Sequence, residues 1–163
     1  MLLKGGMKGR EFMLLAIEEA RKGVKCGDGG PFGAVIIREN KIISKAHNTV
    51  IQSNDPTTHA EINAIRLASQ QLKNFNLSEC ILFTSSEPCP MCLAAIMWSG
   101  ITTVYYGCTV NDADQIGFAD QFIYEYLKAP NTKQSVLKLE PFLREEALST
   151  FEIWVRKEDK IPY

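Results

Sequence analysis

The apolar and polar positions along the chain predict helices and strands in alternation. Residues 9–26 carry apolar side chains at helical spacing and are predicted to form an amphipathic helix. The glycines and proline of residues 27–31 break that pattern. A β-branched run over 32–38 then predicts a strand, and 42–49 is its expected hairpin partner. The predicted apolar stripe of the first helix consists of Phe12, Leu15, Ala16, Ala20, Gly23 and Val24.

The middle of the chain continues the alternation after a polar loop. The predicted elements are a helix over 58–72, a strand over 79–85, a helix that starts near two prolines and runs to about residue 99, and a strand over 102–107. Either Thr57 or Thr58 can cap the first of these helices, with Glu61 in its first turn. Strands that alternate with helices favour an α/β fold in three layers.

The C-terminal third has a less regular pattern. Residues 108–131 are aromatic and acidic and show no clean period. Residues 135–139 are predicted as a short strand, and residues 141–157 as a last helix. No repeat, low-complexity tract or linker interrupts the sequence, so we predict a single domain over residues 1–163.

Composition and charge narrow the classes of function. Of the 163 residues, 45% are hydrophobic and 23% are charged, as in globular proteins that build an apolar core. The net charge of -1 and the pI of about 6.1 argue against a protein that binds the phosphate backbone of a nucleic acid. No apolar run is long enough for a membrane helix or a signal peptide. We therefore expect a cytoplasmic protein whose five cysteines stay reduced.

Two short motifs contain the candidate chemistry. Cys89 and Cys92 have C-x-x-C spacing, which in a reducing compartment indicates metal or redox chemistry. His59 stands two residues before Glu61. One imidazole and two thiolates at helix N-termini suit tetrahedral zinc and leave a fourth position for water. A carboxylate beside such a site can move the protons of a hydrolysis, and the pair H-x-E and P-C-x-x-C is the signature of zinc nucleobase deaminases.

Other interpretations of these residues explain less of the pattern. A structural zinc normally has a fourth cysteine or histidine ligand, and the remaining candidates lack paired spacing. These candidates are Cys26, His47, Cys80 and Cys108. A thioredoxin-like redox site leaves His59 and Glu61 unexplained. A non-catalytic binding module that keeps zinc as a relic has no need of Glu61 beside the metal.

At these motifs the chain resembles the cytidine deaminase-like superfamily, and within it the group of bacterial guanine deaminases. The resemblance extends over nearly the whole chain. It rests on GGPFGAV at 29–35, NDPTTHAE at 54–61, SEPCPMC at 86–92 and GFAD at 117–120, with FIY at 122–124 and the terminal Tyr163. The first three segments are shared in outline with tRNA adenosine deaminases and cytosine deaminases. The fourth segment and the C-terminal tail favour the guanine group.

The resemblance implies a fold and an assembly. The implied fold is a three-layer α/β/α arrangement around a central five-stranded mixed sheet. The implied assembly is a homodimer in which the C-terminal segment, about residues 141–163, is exchanged and helps to close the partner's site. The same sequence is also compatible with a dimer in which the C-terminal segment is not exchanged.

The resemblance also implies roles for single residues. Zinc is expected to bind to His59, Cys89 and Cys92, and Glu61 is expected to transfer the protons. Asp120 is expected to relay a proton toward the leaving amine, although the guanine group often has two adjacent acids where this chain has one. The implied substrate contacts are Phe32, which stacks on the base, Asn48, which bonds its edge, Trp98, which walls the pocket, and Tyr163, which reaches the purine from the exchanged terminus. Three of these residues also have an ordinary structural explanation: Phe32 as a core residue, Asn48 as a partner of backbone groups at a strand end, and Trp98 as a packing residue.

The implied reaction is the hydrolysis of guanine at carbon 2, which yields xanthine and ammonia. Two alternatives in the same chemical class are a tRNA adenosine deaminase acting at the wobble position and a cytosine deaminase. The tRNA enzyme needs an electrostatic grip on phosphates and an open site for a flipped base. The pI and the acidic, aromatic stretch after Gly107 speak against it. We therefore expect a small-molecule purine as the substrate.

Overall fold

The computed structural model describes residues 6–129, 136–137 and 139–161, with side chains from residue 9 onward. The chain divides into two compact units, Met1–Asp120 and Gln121–Tyr163. Within the described residues, the first unit contains four strands and five helices, and the second contains two helices. The single domain over residues 1–163 stays a prediction.

The first unit follows the predicted alternation of helices and strands, with two additional short helices, and the second unit is helical in its described residues. In the first unit the elements are α1 (Gly6–Cys26), β1 (Gly33–Arg38), β2 (Lys41–His47), α2 (Val50–Ser53), α3 (Ala60–Leu72), β3 (Ile81–Ser86), α4 (Pro90–Trp98), β4 (Thr103–Cys108) and α5 (Val110–Gln115). In the second unit they are α6 (Gln121–Lys128) and α7 (Arg144–Arg156). Three short helices, α2, α5 and α6, were not predicted, because segments of four to eight residues are too short to show a helical period.

The strands form one mixed sheet with the order β2-β1-β3-β4. β1 pairs antiparallel with β2 and β3, whereas β3 pairs parallel with β4. The expected five strands are wrong for the described residues, which form four. Of the strand predicted over 135–139, residues 136, 137 and 139 are not in a strand, and 135 and 138 lie outside the described residues. A short apolar run has the composition of a strand but does not reveal whether a pairing edge is available to it.

Alternation along β1 divides the core between the two faces of the sheet. Ala34 and Ile36 pack into a cluster that includes the buried alanines of α3. Val35 and Ile37 pack on the opposite face with Phe12 of α1. The first unit thus has the predicted three layers, with α1 on one side of the sheet and α3 on the other.

Helix α1 lies directly against β1. A Cβ placed on Gly33 would stand 2.1 Å from the carbonyl oxygen of Ala16, so only glycine permits this approach. The predicted stripe of α1 is correct at Phe12 and Ala16 and wrong at Val24, which is half exposed in the last turns of the helix.

In the described part of the chain, no helix combines the length and apolar character needed to cross a membrane.

Candidate functional site

Two helix N-termini bring the predicted metal ligands together. His59 is the N-cap residue of α3, Cys89 is the N-cap residue of α4, and Cys92 lies in the first turn of α4. The Nδ1 atom of His59 is 3.5 Å from Sγ of Cys89 and 3.6 Å from Sγ of Cys92. A tetrahedral zinc with bonds of about 2.0–2.1 Å to nitrogen and about 2.3 Å to sulfur holds such atoms about 3.5 Å apart. The three residues therefore fit a zinc ion, and their ligand atoms all lie within 4.8 Å of one another.

The start of α3 differs from the prediction. His59 occupies the N-cap position, without a side-chain capping hydrogen bond, in place of Thr57 or Thr58. The two threonines instead close a turn with Asp55, whose carboxylate accepts hydrogen bonds from the backbone N–H and the hydroxyl of Thr57. The Thr58 hydroxyl donates to the carbonyl of Asp55. This turn leaves the imidazole of His59 free of a capping role and directed at the cysteines.

The three candidate ligands shift one another's pKa values. A hydrogen bond from Cys92, with a further one from His59, lowers the pKa of Cys89 to about 4 despite burial. The bond to Cys89 and burial both raise the pKa of Cys92. The hydrogen bond with Cys89 raises the pKa of His59 against the effect of burial. Cys89 is therefore a thiolate at neutral pH, the form of cysteine that binds metals.

Glu61 lies in the first turn of α3 and is 5% exposed. The hydroxyl of Thr84 donates a hydrogen bond to its Oε1 over 3.1 Å, and Sγ of Cys92 lies 3.5 Å from its Oε2. Burial raises the pKa of this carboxyl group. A raised pKa makes the carboxylate a better proton acceptor, which suits a group that takes a proton from water. Glu61 thus lies in contact with Cys92, one member of the candidate metal centre.

Thr84 is a site residue that the sequence analysis missed. It is fully buried in β3, two residues before the strand ends at Ser86. The available signal was a polar residue inside a buried strand that leads directly into the C-x-x-C motif. The next residue of β3, Ser85, bonds within the sheet instead, since its Oγ accepts a hydrogen bond from the backbone N–H of Gly33 over 3.0 Å.

Asn48 is buried immediately after β2, and its amide is held in one orientation. Its Oδ1 atom accepts hydrogen bonds from the backbone N–H of Gly30 over 3.3 Å and of Val50 over 3.1 Å. Its own backbone N–H donates to the carbonyl of Phe32. These bonds occupy the oxygen end of the amide and leave its NH2 group as the end that can donate to a ligand.

Phe32 contacts an aromatic residue that the sequence did not assign to it. The rings of Phe32 and Phe118 meet edge to face, with centroids 4.9 Å apart and an interplanar angle of 89°. Phe118 comes from the GFAD segment, so the fold brings the first and fourth motifs into contact. A Cβ on Gly30 would stand 2.8 Å from the ring of Phe32 and 2.9 Å from that of Phe118. Glycine at that position therefore permits the pairing of the two rings.

Asp120 ends the same GFAD segment and presents one buried, unpartnered oxygen. Within the described parts of the chain, its Oδ1 has no hydrogen-bond partner. Burial raises the pKa of its carboxyl group, and the negative charges of Cys89, Glu87 and Asp114 add to that effect. A buried polar atom without a protein partner is available to a ligand or a water molecule.

Trp98 and Tyr163 are the two remaining predicted substrate contacts. Trp98 is the last residue of α4, about 12 Å along the helix axis from Pro90, and it is 71% exposed. Tyr163 lies outside the described residues. The roles of both residues in substrate binding stay predictions.

The arrangement of candidate ligands lies in a part of the chain that matches a known protein family. Residues 7–108 match the family model described as the cytidine and deoxycytidylate deaminase zinc-binding region. The chain belongs to this deaminase family. The matched range contains His59, Glu61, Cys89 and Cys92, so the candidate centre lies in the region that the family shares.

Individual members of the family resemble the chain over different lengths. Guanine deaminase of Bacillus subtilis (strain 168) is 43% identical over 157 residues, which cover 96% of this chain and 100% of that protein. The X-ray structure of guanine deaminase from Bacillus subtilis superimposes with a TM-score of 0.89 at 42% identity, covering 94% of this chain and 98% of that one. The tRNA-specific adenosine deaminase of Aquifex aeolicus (strain VF5) is 42% identical over 99 residues, 60% of this chain and 65% of that one. The α/β fold is therefore of the cytidine deaminase type.

Proposed function

We propose that this chain is a zinc-dependent hydrolase that converts guanine and water to xanthine and ammonia. The observation that carries the proposal is the position of the buried carboxyl group of Glu61, in contact with one member of a His-Cys-Cys cluster of zinc dimensions. The choice of guanine is supported by the likeness to the guanine deaminase of Bacillus subtilis, which runs over 96% of the chain.

His59, Cys89 and Cys92 hold the zinc ion in this proposal. When bound, zinc supplies a Lewis acid that lowers the pKa of a water molecule to near neutrality. Three protein ligands suit a catalytic site, because a structural zinc normally takes a fourth. The thiolate of Cys89 and the buried position of Cys92 match this donor set.

Glu61 is the residue that moves the proton of the attacking water. One oxygen of its carboxylate accepts this proton, and the carboxyl group then delivers it to a ring nitrogen of the base. The hydrogen bond from Thr84 holds the carboxylate in place during the transfer. The raised pKa allows the group to carry the proton between the two steps.

Asp120 assists the departure of the amine. When protonated, its carboxyl group, with the unpartnered Oδ1, donates a proton to the leaving nitrogen, the carbon–nitrogen bond breaks and ammonia departs. The hydroxyl on that carbon then loses its proton as the carbonyl of xanthine forms, and this proton restores the carboxyl group. The raised pKa favours the protonated form that this step needs. Two carboxyl groups in different surroundings can divide the acid and base roles between them.

Asn48 and Phe32 orient the base. The free NH2 end of Asn48 donates to an acceptor on the edge of the purine, and the ring of Phe32, supported by Phe118, stacks on its face. The backbone of Gly29 passes so close to Asn48 that a Cβ there would stand 2.1 Å from Oδ1. The amide is therefore confined before the substrate arrives.

A substrate panel with metal analysis tests the proposal. The purified protein is expected to contain about one zinc per chain and to release ammonia from free guanine. Cytosine and a tRNA anticodon stem-loop carrying adenosine serve as the alternative substrates. Deamination of the stem-loop without release of ammonia from guanine contradicts the choice of substrate, and absence of zinc after gentle purification contradicts the whole mechanism.

We also propose that the protein works as a homodimer in the cytoplasm, with the C-terminal segment from about residue 141 exchanged between subunits. Large apolar side chains of the second unit are exposed to solvent. They include Phe142, Phe151, Ile153 and Val155, each at least 68% exposed. A helix of 13 residues such as α7 gains little stability by itself and is stabilised by packing its apolar side chains. Cell fractionation tests the compartment.

A mixing experiment tests the exchange of the segment. Glu61→Gln with an intact tail is combined with a chain that has an intact zinc site but ends at residue 156. In an exchanged mixed dimer, the intact zinc site receives the intact tail, so activity is expected to return to about half that of the wild type. Size-exclusion chromatography confirms that mixed dimers form. No recovery of activity in such dimers contradicts the exchange.

A further inference from the structure

His47 lies between two carboxylates outside the proposed catalytic centre. Its Nε2 atom is 2.9 Å from Oδ2 of Asp28, and its Nδ1 atom is 3.2 Å from Oε2 of Glu19. The side chains of all three residues are at most 14% exposed. Because the imidazole ring is rigid, its two nitrogens hold the two carboxylates at a fixed separation.

The three residues come from different parts of the fold. Glu19 belongs to α1, Asp28 to the loop over 27–31, and His47 is the last residue of β2. Helix α1 closes over the ring, since a Cβ on Gly23 would stand 2.8 Å from Cδ2 of His47. The ring therefore connects the loop to the helix and to the sheet at one point.

The loop is held at Asp28 by backbone groups as well. Its N–H donates to the carbonyl of Gly23 over 2.9 Å. Its carbonyl accepts hydrogen bonds from the N–H groups of Ile51 and Gln52 over 3.0 and 2.9 Å. Asp28 thus joins the end of α1 to the start of α2, and its carboxylate is fastened by His47.

The same loop sets the position of the proposed base-binding groups. The N–H of Gly30 donates to Oδ1 of Asn48, and the carbonyl of Gly30 accepts from the N–H of Phe32 over 2.8 Å. Gly29 lies against Asn48 at a distance that leaves no room for a Cβ. A shift of the loop therefore moves both the amide and the aromatic ring.

We propose that His47 is a positioning residue for substrate binding, which acts by holding the 27–31 loop through Asp28 while it is itself braced by Glu19. The proposal rests on the proposed function, since it takes Asn48 and Phe32 to contact the base. His47 touches neither the substrate nor the zinc ligands in this scheme. Its effect reaches the base through the loop.

The kinetic signature follows from the groups that the loop controls. Asn48 and Phe32 contact the base both before and during the reaction, so loosening them weakens ground-state and transition-state binding alike. Such a loss raises KM and leaves kcat unchanged. A merely structural role would instead lower the fraction of active enzyme, which reduces kcat at constant KM.

The experiment compares His47→Gln with the matched variant Lys45→Gln. Glutamine retains polarity but cannot face both carboxylates from opposite sides. Lys45 lies two residues earlier in β2 and pairs with the same Glu19 over 3.2 Å, on Oε1. His47→Gln is expected to raise KM for guanine about tenfold with kcat within about twofold, whereas Lys45→Gln is expected to leave both near the wild-type values. Zinc content and melting temperature confirm that both variants are folded.

A second variant identifies the partner through which His47 acts. Asp28→Ala is expected to raise KM as His47→Gln does, and the double variant is expected to be no worse than either single one, because both remove the same link. An unchanged KM in folded His47→Gln overturns the proposal. An equal rise of KM in Lys45→Gln also overturns the proposal, as does full additivity of the effects of His47→Gln and Asp28→Ala on KM.

Hydrogen exchange separates this proposal from the proposed function. His47→Gln is expected to speed exchange of the amides of Gly30 and Val50, which donate to Asn48, at least tenfold. This measurement needs no substrate. If the wild type does not deaminate guanine, the proposed function fails. The connection from His47 through Asp28 to the loop is then tested by hydrogen exchange and by the KM of whichever alternative substrate the enzyme does deaminate. Unchanged exchange of these amides overturns the link in either case.

Discussion

The hydroxyl of Thr84 donates a hydrogen bond to Oε1 of Glu61 across 23 positions of sequence, and both side chains are buried. The bond joins β3 to the first turn of α3. It leaves Oε2 of Glu61 as the oxygen nearest the candidate cysteine ligands, 3.5 Å from Sγ of Cys92. The orientation of the proposed proton carrier is therefore set by the strand that precedes the metal-binding motif.

Replacement of Glu61 separates proton transfer from metal binding. Glu61→Gln keeps an oxygen that can accept from Thr84 but cannot take up a proton at neutral pH. The rate of ammonia release is expected to fall about 10²- to 10⁴-fold, the usual contribution of a general acid-base group. Zinc content and melting temperature are expected to match the wild type. Undiminished turnover would remove Glu61 from the mechanism.

Replacement of Thr84 tests the orientation of Glu61. Thr84→Val conserves shape but leaves Oε1 without its donor, so kcat is expected to fall about tenfold and stability by about 1–3 kcal/mol. Ser44→Ala is the matched control, because Ser44 donates from β2 to the carbonyl of Ala64 in the same helix over 2.8 Å. This control is expected to lose stability without losing kcat. Urea unfolding measures the stability of both variants, and a steady-state assay measures their kcat. Equal loss of kcat in the two variants contradicts a specific role of Thr84 in orienting Glu61.

Replacement of Asp120 tests the second proton step. Asp120→Asn removes the group that donates to the leaving amine, and kcat is expected to fall about 10²-fold or more. Asp114→Asn is the control, because Asp114 is an acid of the same region that affects the pKa of Asp120 only through its charge. Its kcat is expected to stay within about threefold of the wild type. If the two variants behave alike, Asp120 is not the donor.

Removal of zinc is expected to make the thiol of Cys89 reactive. With its pKa lowered to about 4, Cys89 is a thiolate in the metal-free protein and is expected to react with iodoacetamide at pH 7. Cys80 is expected to stay unmodified, since burial raises its pKa. Peptide mass spectrometry before and after chelation gives the readout, with the exposed Cys26 and Cys108 as internal references. Equal labelling of Cys89 with and without zinc contradicts its assignment as a ligand.

Glu19 is expected to contribute to stability in a pH-dependent way. Burial would raise its pKa, but hydrogen bonds from His47 and Lys45 outweigh burial and lower it below the ordinary value of 4.5. A lowered pKa in the folded state gives stability that is present above the unfolded-state pKa and is lost as the pH falls through the folded-state value. Glu19→Gln is expected to lose about 1.5–3 kcal/mol at pH 7, as expected for hydrogen bonds to a charged group.

Urea unfolding of the wild type and Glu19→Gln between pH 7 and pH 3 checks this prediction. The difference in the free energy of unfolding between the two proteins is expected to shrink as the pH falls below about 4.5. A difference that is constant over this range would mean that the Glu19 carboxylate does not stabilise the fold through its charge.

Local features of the sequence were sufficient to predict α1, α3, α4 and the four strands to within a few residues. The helical period of α1 and the β-branched runs act over distances that a sequence pattern records. The sequence also indicated the three candidate metal ligands, which the fold brings together, because their chemistry depends on residue type and on a spacing of two or three positions within one turn of helix. For the same reason Glu61 could be assigned beside His59.

Contacts between distant segments were decided by the tertiary structure. The antiparallel register that pairs Ala34 with Thr84 sets how β3 lies beside β1, and Thr84 meets Glu61 only once α3 packs on that sheet. The meeting of Phe118 with Phe32 likewise depends on how separate segments pack. A sequence pattern carries no record of such pairings, since they arise from strand order and register and not from local spacing. The identities of the candidate zinc ligands are thus local information, whereas the orientation of the groups around them is a property of the folded sheet.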